Sequence, residues 1–155
     1  MRFIPLLLSF FLVGCSLAPL DTKQTKIALI KSPKLKFQDI AYIQHNKDNI
    51  ELELYSAGVA VGKIAIGYMV CTNEGCITKE RFNQEFFGVN YPKDTLENIL
   101  RAQPIFNGKN LQKKGTGFVQ HIRGEGYDII YKVSSFQTFF KDRKNHIIIK
   151  LKDLK

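Results

Sequence analysis

Three cysteines carry most of the chemistry that this 155-residue chain offers. Cys15 ends an apolar run that follows a single positive charge at Arg2. Cys71 and Cys76 flank the stretch Thr72-Asn73-Glu74-Gly75, with Val70 and Ile77 outside them. Asn-Glu-Gly between apolar flanks reads as a hairpin turn. Two thiols facing each other across such a turn come within disulfide distance. The pair reads first as a structural staple, contributing about 2 kcal/mol by loop closure; a pair of free thiols is the alternative. Redox pairs usually hold two residues between their cysteines and open a helix, which this stretch does not. No second Cys or His pair completes a zinc site.

The other reactive residue types converge on nothing. His45, His121 and His146 are scattered in or near predicted turns. Gly-x-Ser-x-Gly does not occur. Glu51 and Glu53 share a solvent face. Gly115-Thr116-Gly117 has neither a Walker lysine nor a following helix. The expectation is a protein that is not an enzyme and uses neither cofactor nor metal.

The run from Phe3 to Val13 has the length of a signal-peptide core and is too short to span a bilayer, which takes about 20 apolar residues. It ends in Leu12-Val13-Gly14-Cys15, which resembles the lipobox of bacterial lipoproteins. That resemblance implies a diacylglyceryl group on the Cys15 thiol, cleavage before Cys15 and acylation of the new amino terminus. Each buried methylene contributes about 0.8 kcal/mol, and two or three chains give a lasting anchor where one does not. In the best-known sorting rule an Asp after the cysteine retains a lipoprotein in the inner membrane. Ser16 stands there instead, so the outer membrane is expected, with the protein facing the periplasm. The division is then residues 1–14 as signal peptide, 15–33 as lipidated cysteine and tether, and 34–155 as one domain.

The formal charge of the whole chain is +9. A basic surface suits lipid head groups, lipopolysaccharide or an acidic protein. Nucleic acid is not expected as a partner of an exported lipoprotein. The basic segment Lys109 to Lys114 reads as solvated loop, or as a contact for anionic lipid.

Along the domain the period is mostly that of strands. Residues 35–44 are rich in β-formers, and Ile50-Glu51-Leu52-Glu53-Leu54 alternates without error. Ser56 to Gly62 is a small-residue loop, and 63–70 resumes as strand. Ile27 to Ile30 suits either an edge strand or a helical turn. Residues 79–87 change period: Phe82, Phe86 and Phe87 fall on one helical face, Thr78 can cap it and Gly88 can end it. Asp94-Thr95-Leu96-Glu97 reads as a capping box before a second short helix with Leu96, Ile99 and Leu100 as its stripe. Strands return at 116–122, 127–133, 134–140 and 147–151. The fold class is mainly β with some α: a curved, half-open antiparallel β-barrel whose two short helices form a plug or lid over an apolar cavity.

This order of elements resembles the LolB family, outer-membrane lipoproteins that receive other lipoproteins from the periplasmic carrier LolA. The resemblance covers roughly Leu35 to Leu154. It is carried by NIELELYSAGVAVGKIAI, by YMVCTNEGCITKERFNQEFFGVNYPKDTLENILRAQP, and by GYDIIYKV followed by HIIIKLKDL. It implies a cavity for lipoprotein acyl chains, a LolA-like carrier as partner, a monomer, and an apolar residue on the small-residue loop that helps insert cargo into the membrane. That loop offers Val59 and Val61 where the family usually has a larger leucine. The cavity candidates are Phe37, Tyr68, Phe82, Phe86, Phe87, Phe118, Tyr131 and Phe136. The chain departs from the family in having no Trp and in carrying the Cys71/Cys76 pair.

Overall fold

The structure, a computed structural model, describes residue 21 and residues 23–154. Cys15 and the signal segment lie outside the described residues. Five strands follow one another as β1 (Gln24–Lys31), β2 (Lys36–His45), β3 (Ile50–Ser56), β4 (Val59–Ile66) and β5 (Val70–Thr72), and β6 (Gly75–Ile77) completes the first half. Helices α1 (Lys79–Phe87) and α2 (Thr95–Leu100) come next. The second half is β7 (Leu111–Lys114), β8 (Gly117–Gly124), β9 (Tyr127–Ser134), β10 (Gln137–Asp142) and β11 (Ile147–Asp153).

All the strands belong to one 11-stranded antiparallel sheet with the order β6-β5-β4-β3-β2-β1-β11-β10-β9-β8-β7. Each half is a run of hairpins. The halves join where β1 pairs with β11, placing Ala28 opposite Leu151 and Ile30 opposite Ile149. The sheet is not closed: β6 and β7 are its two edges, and the segment between them in sequence carries both helices.

Strict alternation sets the register. Ile50, Leu52 and Leu54 turn inward and are buried, while Glu51 and Glu53 turn outward and pair with Lys63 at 2.9 Å and Lys23 at 2.6 Å. A slip by one residue would exchange the two faces, so the register is strongly specified. In a flat sheet β3 and β10 would lie about 19 Å apart, at roughly 4.8 Å per strand step. Helix α2 packs against both. The sheet therefore curls around the helices.

Several sequence expectations shift. The first described strand, β1, begins at Gln24 and so lies inside the stretch 15–33 expected as tether. It is also an interior strand, neither an edge strand nor a helical turn. Only Ala28 and Ile30 of β1 are fully buried, so its polar ends disguise it. Gly67-Tyr68-Met69 is a turn rather than the end of a strand, with the Gly67 N–H donating to the Met69 carbonyl at 2.9 Å. Ser135 and Phe136 likewise form a turn, and part of the basic loop, Leu111–Lys114, is edge strand β7.

The helices are held as one unit. The Thr78 hydroxyl accepts from the Arg81 N–H at 3.3 Å, and Gly88 ends α1 at φ +69°. The capping box expected at Asp94 does not form. Thr95 instead donates its hydroxyl to the Pro92 carbonyl at 2.7 Å, and Asn83 of α1 donates to the Pro92 and Lys93 carbonyls at 2.9 and 2.8 Å. Glu97 is left to bind Lys79 at 2.6 Å and Arg101 at 3.0 Å, tying α1 to α2. Arg101 also donates to the Asn46 carbonyl at 2.7 Å, fixing α2 to the β2–β3 turn.

The inside of the curl is packed with side chains. Phe87 lies 5.0 Å from Phe86 and 4.9 Å from Tyr91, ring centre to ring centre, and Tyr91 lies 6.0 Å from Phe140. Leu96, Ile99, Leu100 and Ile105 fill the remaining space under the sheet.

Tyr91 donates its hydroxyl to the buried carboxylate of Asp142. That carboxylate also accepts from the Asn145 side chain at 2.6 Å and from the N–H groups of Asp128 at 3.1 Å and Lys144 at 2.9 Å. Burial alone would push Asp142 up. The hydrogen bonds from Tyr91 and Asn145 and from the backbone outweigh it and hold the group below the usual carboxylate range. A depressed native value means stability that is present above the unfolded value, about 3.9, and lost as pH falls through the folded one. Asp142→Asn is therefore expected to lower stability near neutral pH by about 1.5–3 kcal/mol. Chemical unfolding between pH 7 and pH 2 checks this: the loss on acidification should be smaller in the variant than in the parent.

Candidate functional site

Two adjoining clefts open where the β4–β6 edge meets α1. One, of about 270 Å³, is lined by Gly75, Cys76, Ile77, Arg81, Phe82 and Phe86 among others. The second, of about 200 Å³, is lined on the sheet side by Leu54, Val61, Gly62 and Ile64. Lys34, Thr72, Glu74, Phe82 and Phe86 border both. The floor is made by Phe82 and Phe86, stacked at 5.4 Å. The result is one groove running from the β3–β4 hairpin to α1, with an aromatic floor and with Lys34, Lys63, Glu74, Arg81 and Glu85 along its sides. Each part is smaller than the range of about 300–1,000 Å³ usual for ligand pockets. A long ligand would need α1 to move outward.

The β3–β4 hairpin forms the outer lip. Its turn is only Ala57-Gly58, with φ +49° and +80°, so most of the expected small-residue loop is strand. Two positive φ values in a two-residue turn match the twist that a hairpin needs. Leu54 pairs with Gly62 and Tyr55 with Ala60, which leaves Val61 as the extra residue of a bulge. Val59 and Val61 are 65% and 53% exposed. The hairpin is pinned to β2 by Asp39, whose carboxylate accepts from the Ile40 N–H at 2.8 Å and the Ala57 N–H at 3.1 Å. These two bonds hold Asp39 below the usual carboxylate range.

Across the mouth, Lys34 and Glu74 pair at 3.1 Å. Both are well exposed, and pairs of this kind contribute only about 0–1 kcal/mol. They close the groove cheaply and can open it cheaply. The far wall is the β5–β6 hairpin, whose strands have three residues each. Cys71 and Cys76 are bonded across it.

The sequence-derived cavity residues separate into four groups. Phe82 and Phe86 line the groove. Phe87 and Tyr131 lie in the packed interior, where Tyr131 donates its hydroxyl to the Gln103 carbonyl at 3.0 Å and has Phe118 half-buried at 5.6 Å. Phe37 is half-buried against the core. Tyr68 and Phe136 do not belong with them: they sit on turns and are 98% and 54% exposed. Leu54, Ile64 and Lys34 are groove residues that the sequence did not single out. The inward positions of Leu54 and Ile64 were readable from alternation, but their meeting with α1 was not.

Among the described residues, no group of His, Cys, Asp and Glu suits a metal ion, and no helix is long and apolar enough to cross a membrane. Comparison with models of protein families, with curated proteins and with solved structures finds no match for this chain.

Replacing both Cys71 and Cys76 by Ser should cost about 2 kcal/mol, the loop-closure value for so short a ring. Amide exchange is expected to quicken at 70–77 and to stay unchanged in β1 and β11. Equal loosening of the central strands would contradict a role confined to the groove wall.

Proposed function

We propose that the protein is a membrane-anchored receptor that takes acylated proteins from a LolA-like periplasmic carrier and passes them to the outer membrane. Lipidation of Cys15 and the periplasm-facing location are parts of this reading. The observation that supports it is the juxtaposition of an exposed two-valine hairpin with a groove floored by Phe82 and Phe86 at the open edge of a curled sheet. A cargo with two or three acyl chains cannot cross water with them exposed, and burial in a dry apolar site is non-directional and tolerant of chain length.

In this reading the chains enter between β4 and α1. The Lys34–Glu74 pair parts and α1 tilts outward at the groove, while Arg101 on the Asn46 carbonyl and Tyr91 on Asp142 keep α2 and the link between the helices in place. The interior aromatics then line a half-open barrel, with the helices as its lid. Val59 and Val61 cover the chains as they pass the lip. No covalent step, cofactor or metal is called for.

A second reading has an observation of its own. The described interior holds large side chains such as Phe87, Tyr91, Tyr131 and Phe140, as a surface lipoprotein with a purely structural role would. Transport of another lipid, such as lipopolysaccharide, uses the same groove.

The test is transfer. The chain from Leu17 onward keeps every described strand and helix. Mixed with a carrier from the same organism loaded with a labelled lipoprotein, it should take the label. No transfer to a folded domain from a competent carrier would overturn the receptor reading, and co-purified lipid of another class would favour the alternative. In the full chain, Val59→Glu with Val61→Glu should leave acceptance intact while lowering delivery into vesicles about tenfold or more. Unchanged delivery would sink the role of the hairpin.

A further inference from the structure

Several lysines of this chain are gathered on one sheet surface that the groove does not use. Partners across a sheet share a face, so the register defines the outer surface of β8, β9, β10, β11 and β1. One row across it reads Val119, Lys132, Phe139, Lys150 and Leu29. The next reads His121, Ile130, Lys141, Ile148 and Lys31, which continues to Lys36 of β2. Lys152 stands opposite Ile27 in a third. Lysines and apolar side chains thus alternate along and across the strands.

None of Lys31, Lys36, Lys132, Lys141, Lys150 and Lys152 takes part in an ion pair among the described residues. The acid on this part of the outer face is Asp128, and it is already bound by Arg143 at 2.9 Å and Arg123 at 3.4 Å. The acids of the other half, Glu51 and Glu53, are neutralised by Lys63 and Lys23. Lys132 and Lys150 stand two strands apart, roughly 10 Å. That is slightly beyond the Debye length of about 8 Å at physiological salt, so the lysines repel one another only weakly there and keep the face together at little cost. A broad anionic surface would meet all of them at once without an ion pair having to break first. Between the lysines, Phe139, Ile148 and Ile130 are half-buried and Ile27 is exposed. Shallow apolar contacts interleaved with ammonium groups suit a layer of lipid head groups over the upper acyl region.

The path of the chain says which layer. β1 lies within this face and is the first described strand after Cys15. The nine residues from Cys15 to Gln24 reach about 30 Å at most. We infer that the outer face of β8–β11 and β1 is a docking surface for the anionic lipid head groups of the bilayer that anchors the protein, laying the domain on its side with the groove open laterally. The identity of that bilayer rests on the reading of Cys15 as the anchor; the affinity for anionic lipid does not.

The experiment uses the anchor-free chain from Leu17 onward, which contains the whole described fold, and sedimentation with vesicles. Binding is expected with a phosphatidylcholine–phosphatidylglycerol mixture and not with phosphatidylcholine alone, and it should weaken steeply with added salt. Lys132→Glu, Lys150→Glu and Lys152→Glu together should lower partitioning about tenfold or more. Lys47→Glu, Lys93→Glu and Lys109→Glu, the same change in net charge on exposed turns elsewhere, should lower it no more than about threefold. Both triple variants must show the parent's melting temperature. Absence of binding to the anionic vesicles, or equal loss in the two triple variants, overturns the inference. The mass of the mature full chain reports separately on acylation of Cys15, so failure of the anchor and failure of the surface are distinguishable.

Discussion

The pairing of β1 with β11 in the middle of the sheet governs the rest of the structure. A chain whose first and last strands lie side by side must spend its remaining strands on the two flanks, and each flank ends in an unpaired edge. Unpaired edges are a liability for a β protein. Here β6 and β7 are both short, and the chain crosses from one to the other through α1 and α2. The position of the helices is a consequence of where the termini pair. The curl follows, because inward-facing residues from both halves pack on the same two helices.

That arrangement gives the molecule a strong side and a weak side. On the β9–β11 side, the Asp142 hub joins Tyr91 to two turns, and several aromatic rings meet edge to face. On the β4–β6 side, α1 meets two three-residue strands, a disulfide and one exposed ion pair. Removing a buried hydrogen-bonded charge costs more than parting exposed charges. Opening is therefore expected at the groove and not at the hub. The proposed entry for acyl chains stands where the fold yields most easily.

Much of this was legible locally. The alternation of Ile50 to Leu54 and of Ile147 to Leu151, the Thr78 cap and the Gly88 stop each depend on neighbours within a few residues. The turn between Cys71 and Cys76 made their bond the first reading, with free thiols as the alternative, and the structure has them bonded. What depended on distant parts of the chain was not legible. β1 carries just two fully buried side chains and resembles tether until its partners are known. Tyr68 and Phe136 were placed inside for being aromatic, although Gly67 beside one and Ser134-Ser135 beside the other are turn signals that outrank ring type. The lysine face was visible only as overall charge. Its segregation needed the cross-strand register. The groove needed the same, because no local pattern says which strands a helix will meet.

The claim that acyl chains enter between β4 and α1 can be tested most directly by photo-crosslinking. A fatty acid carrying a diazirine near its methyl end would be bound to the protein, activated by light and located by mass spectrometry of the peptides. The account predicts adducts on the groove residues Val61, Ile64, Phe82 and Phe86, suppressed by an excess of unlabelled fatty acid. Adducts confined to outer-face residues such as Phe139, or labelling that unlabelled fatty acid does not suppress, would contradict it.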